Sequence, residues 1–203
     1  MKLSQLIQAG AFATIAAFGS AHAAPNLISN GDFEAFAGSP FTGFTKLGAG
    51  ATTLTGWIIG GTSVDVINNN QYGAISGNSI DMLGTPGPGS LSQTFTTTAG
   101  GFYSLSFDLS QNSNSAPTMT VAVNGVQQGP VFSGTFPTYT SFTQQFQALT
   151  TSTTLSFISA ASGSSGAVLD NVSVSAVPEP STYALMLGGL GLMGFMARRR
   201  KQG

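Results

Sequence analysis

Six carboxylates carry nearly all the acid–base and metal-binding potential of this chain. Between Ala24 and Ala176 stand Asp32, Glu34, Asp65, Asp81, Asp108 and Asp170, against one cation, Lys46. The sole histidine, His22, lies upstream of that stretch, and there is no cysteine. A Ser-His-Asp triad therefore lacks its imidazole base, a thiol nucleophile is excluded, and so is zinc held by His or Cys. The sequence has neither a Gly-Lys-Ser/Thr phosphate loop nor a dinucleotide fingerprint. What remains is a pair of acids facing one glycosidic bond, or oxygen ligands for a hard cation. Asp65 with Asp81 is the pair available for the first role, and the expectation overall is a protein that is not an enzyme.

Charge narrows the partners. One lysine against six acids gives the 24–176 body a formal charge of −5. Nothing there neutralises phosphates, so nucleic acid is excluded as a partner. A body of this length buries enough surface for one domain. With no disulfide available, its stability must come from the core or from a bound ion.

The two ends read as targeting. Lys2 is followed by an Ala/Phe/Ile-rich stretch and by Ala21-His22-Ala23, with small residues where a signal peptidase needs them. Residues 1–23 are expected to be a signal peptide, a helix removed before Ala24. At the other end a tail spans 177–203: Val177-Pro178-Glu179-Pro180-Ser181-Thr182, an apolar segment 183–197, and Arg198-Arg199-Arg200-Lys201. Fifteen residues of helix rise about 22 Å, short of the roughly 30 Å hydrocarbon core, and Gly188, Gly189, Gly191 and Gly194 weaken it further. The expectation is a short C-terminal transmembrane helix. Its basic end stays cytoplasmic, which leaves the body outside and Pro178–Pro180 at the membrane boundary. A plain anchor that is never cut is the alternative.

The elements between are strands. Tyr103, Leu105, Phe107 and Leu109 alternate with polar residues, as do Met119, Val121 and Val123, after which Asn124-Gly125 supplies a tight turn. Further strands are expected at 91–95, 141–146, 153–159 and 168–174, and nearer the start at 26–33, 56–59, 63–67 and 79–83. Gly/Ser/Asn/Pro clusters separate them, and the body lacks a sustained helical stripe. The fold class is all-β, a two-layer antiparallel β-sandwich over 24–176.

Asp170 shares its parity with Val168, Val172 and Val174, which places a carboxylate on an apolar face. A bound Ca²⁺, several backbone N–H groups, or a rim position open to water would each satisfy it.

Asn26-Leu27-Ile28-Ser29-Asn30-Gly31-Asp32-Phe33-Glu34 resembles the "NL-x-x-NG-x-FE" opening of galactose-binding-like jelly rolls, a group that includes carbohydrate-binding modules. Leu169-Asp170-Asn171-Val172-Ser173-Val174 is similar to their closing strand, and Gly56-Trp57 to their "GW" entry into an early strand. Ser90–Phe95 and Tyr103–Phe107 match the middle of the pattern. The resemblance implies a structural calcium where the opening acid and the closing Asp meet, nominating Glu34 and Asp170, with Asp32 third. The tail resembles the PEP-CTERM sorting signal. That implies handling by an exosortase-type transpeptidase in the inner membrane of a Gram-negative bacterium, with Pro178, Glu179 and Pro180 in the recognised motif, and an association with exopolysaccharide.

Sugar recognition pairs an aromatic platform with a few polar groups. The candidates are Tyr72, beside a run of asparagines, and Phe136 with Tyr139 in a loop bearing Pro137. Trp57, next to Ile58-Ile59, reads as core. Three functions follow: a non-catalytic glycan-binding module in a polysaccharide matrix, a structural matrix protein without a ligand site, or a carboxylate-dependent glycoside hydrolase.

Overall fold

Alternating side chains build two antiparallel sheets that bury their facing sides against each other. The computed structural model describes residues 24–68, 71–113, 117–159, 161–178 and 180–200. The signal peptide with Ala21 and Ala23, and Glu179 and Lys201 of the tail, lie outside the described residues. The described residues form eleven strands: β1 (Phe44–Gly48), β2 (Ile58–Gly61), β3 (Ser63–Asn68), β4 (Asn78–Asp81), β5 (Gly89–Thr96), β6 (Phe102–Gln111), β7 (Met119–Val123), β8 (Val126–Phe132), β9 (Thr140–Gln147), β10 (Ser152–Ser159) and β11 (Ala167–Ala176). One sheet runs β1-β3-β4-β11-β6-β9 and the other β2-β5-β10-β7-β8. The body is thus the all-β two-layer sandwich its alternation predicts.

The core lies between the layers. Val64 and Val66, Ile80, Leu105, Phe107 and Leu109 meet Leu91, Val121, Leu155 and Phe157 from the opposite sheet. Trp57 belongs to this core: its ring lies 5.4 Å from that of Phe33, and its indole N–H donates to the Asn30 carbonyl at 2.8 Å. Asn124 and Gly125 take φ of 49° and 79°, the left-handed pair a two-residue hairpin between β7 and β8 requires.

Sequence pattern and structure part company in three places. Residues 26–33 form no strand; Asn26 instead ties them to β11, its Oδ1 accepting from Val174 N at 3.0 Å. The alternation pattern does not mark β1, and it marks β8 only through the Asn124-Gly125 turn before it, because each sits at a sheet edge with little alternation to reveal it. Most consequentially, β11 bulges between Asp170 and Ser173, with Asn171 at φ 51°. The bulge reverses the parity: Val172 and Val174 face the main core, while Val168 joins Ile67 and Ala74 in a small cluster on the other side. Of the three valines, only Val168 therefore shares the face of Asp170.

The tail is a helix, α1, from Pro180 to Arg200. Proline at the first helical position is favoured because its missing N–H would have no partner there. Among the described residues no helix is long and apolar enough to cross a membrane, which corrects the expected transmembrane helix. Four glycines and three terminal arginines dilute its hydropathy.

Candidate functional site

The outer face of the six-stranded sheet concentrates the chemistry. By alternation Asp65, Asp81, Asp108 and Asp170 all project there, opposite the valines and leucines of the same strands. Ile67, Ala74 and Val168 cover part of that face and seat the loop that carries Tyr72. Gly73 makes the seat possible. At φ 83° it lies so close to β6 that a Cβ would stand 2.1 Å from the Gln111 carbonyl. A second loop is fastened to the same strand, since Gln111 Nε2 donates to Ser133 Oγ at 3.1 Å and to the Gly134 carbonyl.

These two loops bring the three candidate ligand-binding aromatics together. Tyr72, Phe136 and Tyr139 line one cleft of about 370 Å³, completed by Gly73, Ala74, Ile75 and Pro137. All three rings face solvent, at 45, 38 and 54% exposure. None is spent on the core.

The acids divide into two groups. Asp170 is buried, and two donors hold it: Ser79 Oγ at 2.9 Å and Asn171 N at 2.7 Å. Burial, with Glu34 and Asp108 nearby, pushes its carboxyl up to about 7. The rim position open to water is therefore excluded. Glu34 accepts from Asn78 N at 2.7 Å, so adjacent residues of β4 hold the two nominated acids. Asp32 does not join them. It is exposed and lines a polar cleft with Asn26, Asn30 and Asn171. Among the described residues no three acids or imidazoles gather as a metal cluster. The remaining donors, two carboxylates and a hydroxyl, are hard oxygens that suit calcium better than a softer metal.

Asp65 and Asp81 stand directly opposite each other in the β3–β4 ladder, both buried. Each fastens loops. Asp65 accepts from Thr85 N at 3.1 Å and Thr85 Oγ1 at 2.7 Å. Asp81 accepts from Leu83 N at 2.9 Å and Asn112 Nδ2 at 2.5 Å, and from the Gly166 backbone. Burial first, and the Asp65 charge last, raise Asp81 to about 6 against the pull of those hydrogen bonds. A glycosidase needs both acids on one cleft. Of the two, Asp65 lines a pocket and Asp81 holds the loops beneath it.

In the tail, Pro178 is exposed just beyond β11, and Val177 N donates to the Phe102 carbonyl at 2.8 Å. The folded body thus ends at the motif.

Comparison with known proteins places these features. Residues 26–175 match the family described as "Protein of unknown function (DUF642)", and residues 176–201 match the PEP-CTERM protein-sorting motif. Halomucin of Haloquadratum walsbyi (strain DSM 16790 / HBSQ001) is 30% identical over 165 residues, 77% of this chain. The chain spans about 2% of the length of that curated relative. Among solved structures, a family 35 carbohydrate-binding module from Clostridium thermocellum is 16% identical, with a TM-score of 0.46 over 64% of this chain and 97% of the other. A xylan-binding domain from Paenibacillus barcinonensis is also 16% identical, with a TM-score of 0.47 over 69% and 99%. Both scores lie under 0.5, too low for the likeness to speak to a ligand.

Proposed function

The chain belongs to the DUF642 family and ends in a PEP-CTERM sorting motif; from that premise we propose that it is an exported, non-catalytic protein whose aromatic cleft binds glycan. The observation that carries the reading is the convergence of Tyr72, Phe136 and Tyr139 on one solvent-facing cleft from loops more than sixty residues apart. A sugar presents an apolar C–H face and a hydroxyl rim. Exposed rings take the first, and phenolic hydroxyls with loop backbone groups take the second.

Helix α1 supports the handling expected of the tail. Met186, Leu187, Leu190, Leu192, Met193 and Phe195 are all more than half exposed, so the body does not cover this apolar segment. In this reading a signal peptidase releases the body at Ala24 and the inner membrane holds the helix transiently. An exosortase-type transpeptidase then acts at the Pro-Glu-Pro motif and leaves the body at the cell surface or in an exopolysaccharide matrix of a Gram-negative bacterium. Calcium would be held by Glu34 and Asp170, where it offsets buried negative charge and stabilises the fold.

A second reading has one observation in its favour. The five-stranded sheet contains no charged residue, and its outward positions on β5 and β10 are mostly Ser and Thr. Such a face suits a structural matrix protein.

The deciding experiment is binding of the purified chain to the producer's exopolysaccharide and to a glycan panel, with and without Ca²⁺. Saturable binding, weakened about tenfold by Tyr139→Ala and unchanged by Trp57→Phe, supports the glycan-binding reading. Failure of the well-folded chain to bind any glycan overturns it in favour of the structural one.

A further inference from the structure

The aromatic cleft does not end at Tyr72. The same ring lines a second pocket of about 280 Å³, where Phe44 meets it edge-to-face at 5.8 Å and an angle of 85°. The two pockets differ in kind. The first offers rings and backbone; the second adds Asp65, Thr85, Asn112 and Ser164. Asp65 is the one ionisable side chain besides Tyr72 on its wall, and neither lysine, arginine nor histidine is among its lining residues. Two hydrogen bonds from Thr85 occupy part of the Asp65 carboxylate, which accepts about four. In its two ladders Asp65 stands opposite Asp81 on β4 and opposite Lys46 on β1, and Lys46 is not among the pocket's lining residues.

Resting on the glycan-binding reading, we propose that this second pocket is a subsite for a sugar bearing a free amino group, with its ammonium on Asp65 and its ring against Tyr72 and Phe44. The ligand class is then an oligosaccharide of at least two units containing a 2-amino-2-deoxyhexose. Uronate-bearing chains are disfavoured, because their carboxylate would meet Asp65 while Lys46, the cation opposite it on β1, does not line the pocket. Asn112 and Ser164 supply hydrogen-bonding groups for hydroxyls, and Asn112 is fixed for that task by Asp81.

The test measures the affinity of the purified chain for β-1,4-linked glucosamine oligomers, their N-acetylated counterparts and oligogalacturonate, under mildly acidic conditions that protonate the amine. The glucosamine oligomer is expected to bind about tenfold more tightly than the N-acetylated one, as one charge-assisted hydrogen bond in a partly open site allows. Asp65→Asn should bring the two within about twofold, while Asp32→Asn, an equal charge change outside the groove, should leave the preference intact. Should Asp65→Asn fail to fold, Ser164→Lys at an exposed loop position replaces it, and should remove the preference and admit galacturonate. Equal binding of the amino and N-acetyl forms by the wild-type chain, or loss of the preference in Asp32→Asn as well, overturns the subsite and leaves glycan binding standing. Binding of none of the three oligomers overturns the subsite, and if the wider panel is also refused, the glycan reading falls with it.

Discussion

Asp170 lies directly opposite Asp108 in the β11–β6 ladder, and the bulge at Asn171 begins at the next residue. The two acids do not share a proton donor. Asn171 Nδ2 donates to Asp108 at 2.9 Å, while the Asn171 backbone N–H serves Asp170 at 2.7 Å. One residue in a left-handed conformation thus separates two like charges by giving each its own hydrogen bond. The arrangement is a compromise, because Asp170 remains buried with its proton held too tightly.

Stability should therefore fall as pH rises from about 4 to 8. Asp81 and Asp170 have folded-state values raised to about 6 and about 7 from an ordinary 3.8. Between those limits the folded state binds more protons than the unfolded one, so stability decreases with pH. It is fully present below about 4 and is lost as pH passes through 6 to 7. Melting temperatures across this range, without divalent cations, check it. Asp170→Asn should flatten the upper part of the fall, and a wild-type curve rising toward neutrality would refute the account.

Calcium should reverse that loss. A cation beside Glu34 and Asp170 favours the ionised carboxylate, so millimolar Ca²⁺ should raise the melting temperature most near pH 8 and least near pH 5. Glu34→Gln and Asp170→Asn should abolish the increment, and Asp32→Asn should keep it, since Asp32 lies apart in the polar cleft. A Ca²⁺ effect of equal size in all three variants would place the ion elsewhere.

Much of this was legible in the sequence, and the failures share a cause. Alternation located the central strands because each buries one face, as in β6 and β10. It failed on β11 because parity counts residues and a bulge spends one without advancing the ladder. The opening motif looked like a strand because Leu27, Ile28 and Phe33 are apolar, yet its asparagines act as ties. Asn30 Nδ2 donates to the Ala35 and Thr55 carbonyls at 3.2 and 2.9 Å. The aromatic cleft was half legible: Tyr72, Phe136 and Tyr139 stood out as loop aromatics. Their meeting depends on how Gly73 and Gln111 dock two loops on β6, which no local pattern encodes. The second pocket was hidden for the same reason, since Asp65 read only as a possible partner for Asp81.

Gly31→Ala should destabilise the fold by about 1–3 kcal/mol, the range for forcing an atom into a packed interior. A Cβ there would stand 1.9 Å from the Val172 carbonyl oxygen. That contact is where the opening segment pairs with the bulged strand, as Val172 N donates to the Gly31 carbonyl at 2.9 Å. Chemical denaturation of the variant checks the size. An unchanged midpoint would mean the segment detaches at little cost.

Trp57 should report on the core and stay silent to ligand. It is the chain's single tryptophan, buried between Phe33 and Phe157 with ring centroids 5.4 and 6.3 Å away. The proposed groove lies across the six-stranded sheet on its outer face. Trp57→Ala should cost about 3–5 kcal/mol through the cavity it leaves. Trp57→Phe should cost about 1 kcal/mol, the net worth of one hydrogen bond, because the Asn30 carbonyl loses its indole donor and keeps the Phe33 N–H at 3.3 Å. Neither variant, while folded, should change glycan affinity. Intrinsic fluorescence separates the roles directly: emission should shift to the red on unfolding and hold its wavelength when glycan binds. A wavelength shift on binding that tracks ligand concentration would move the sugar to the Trp57 side of the sandwich and away from Tyr72.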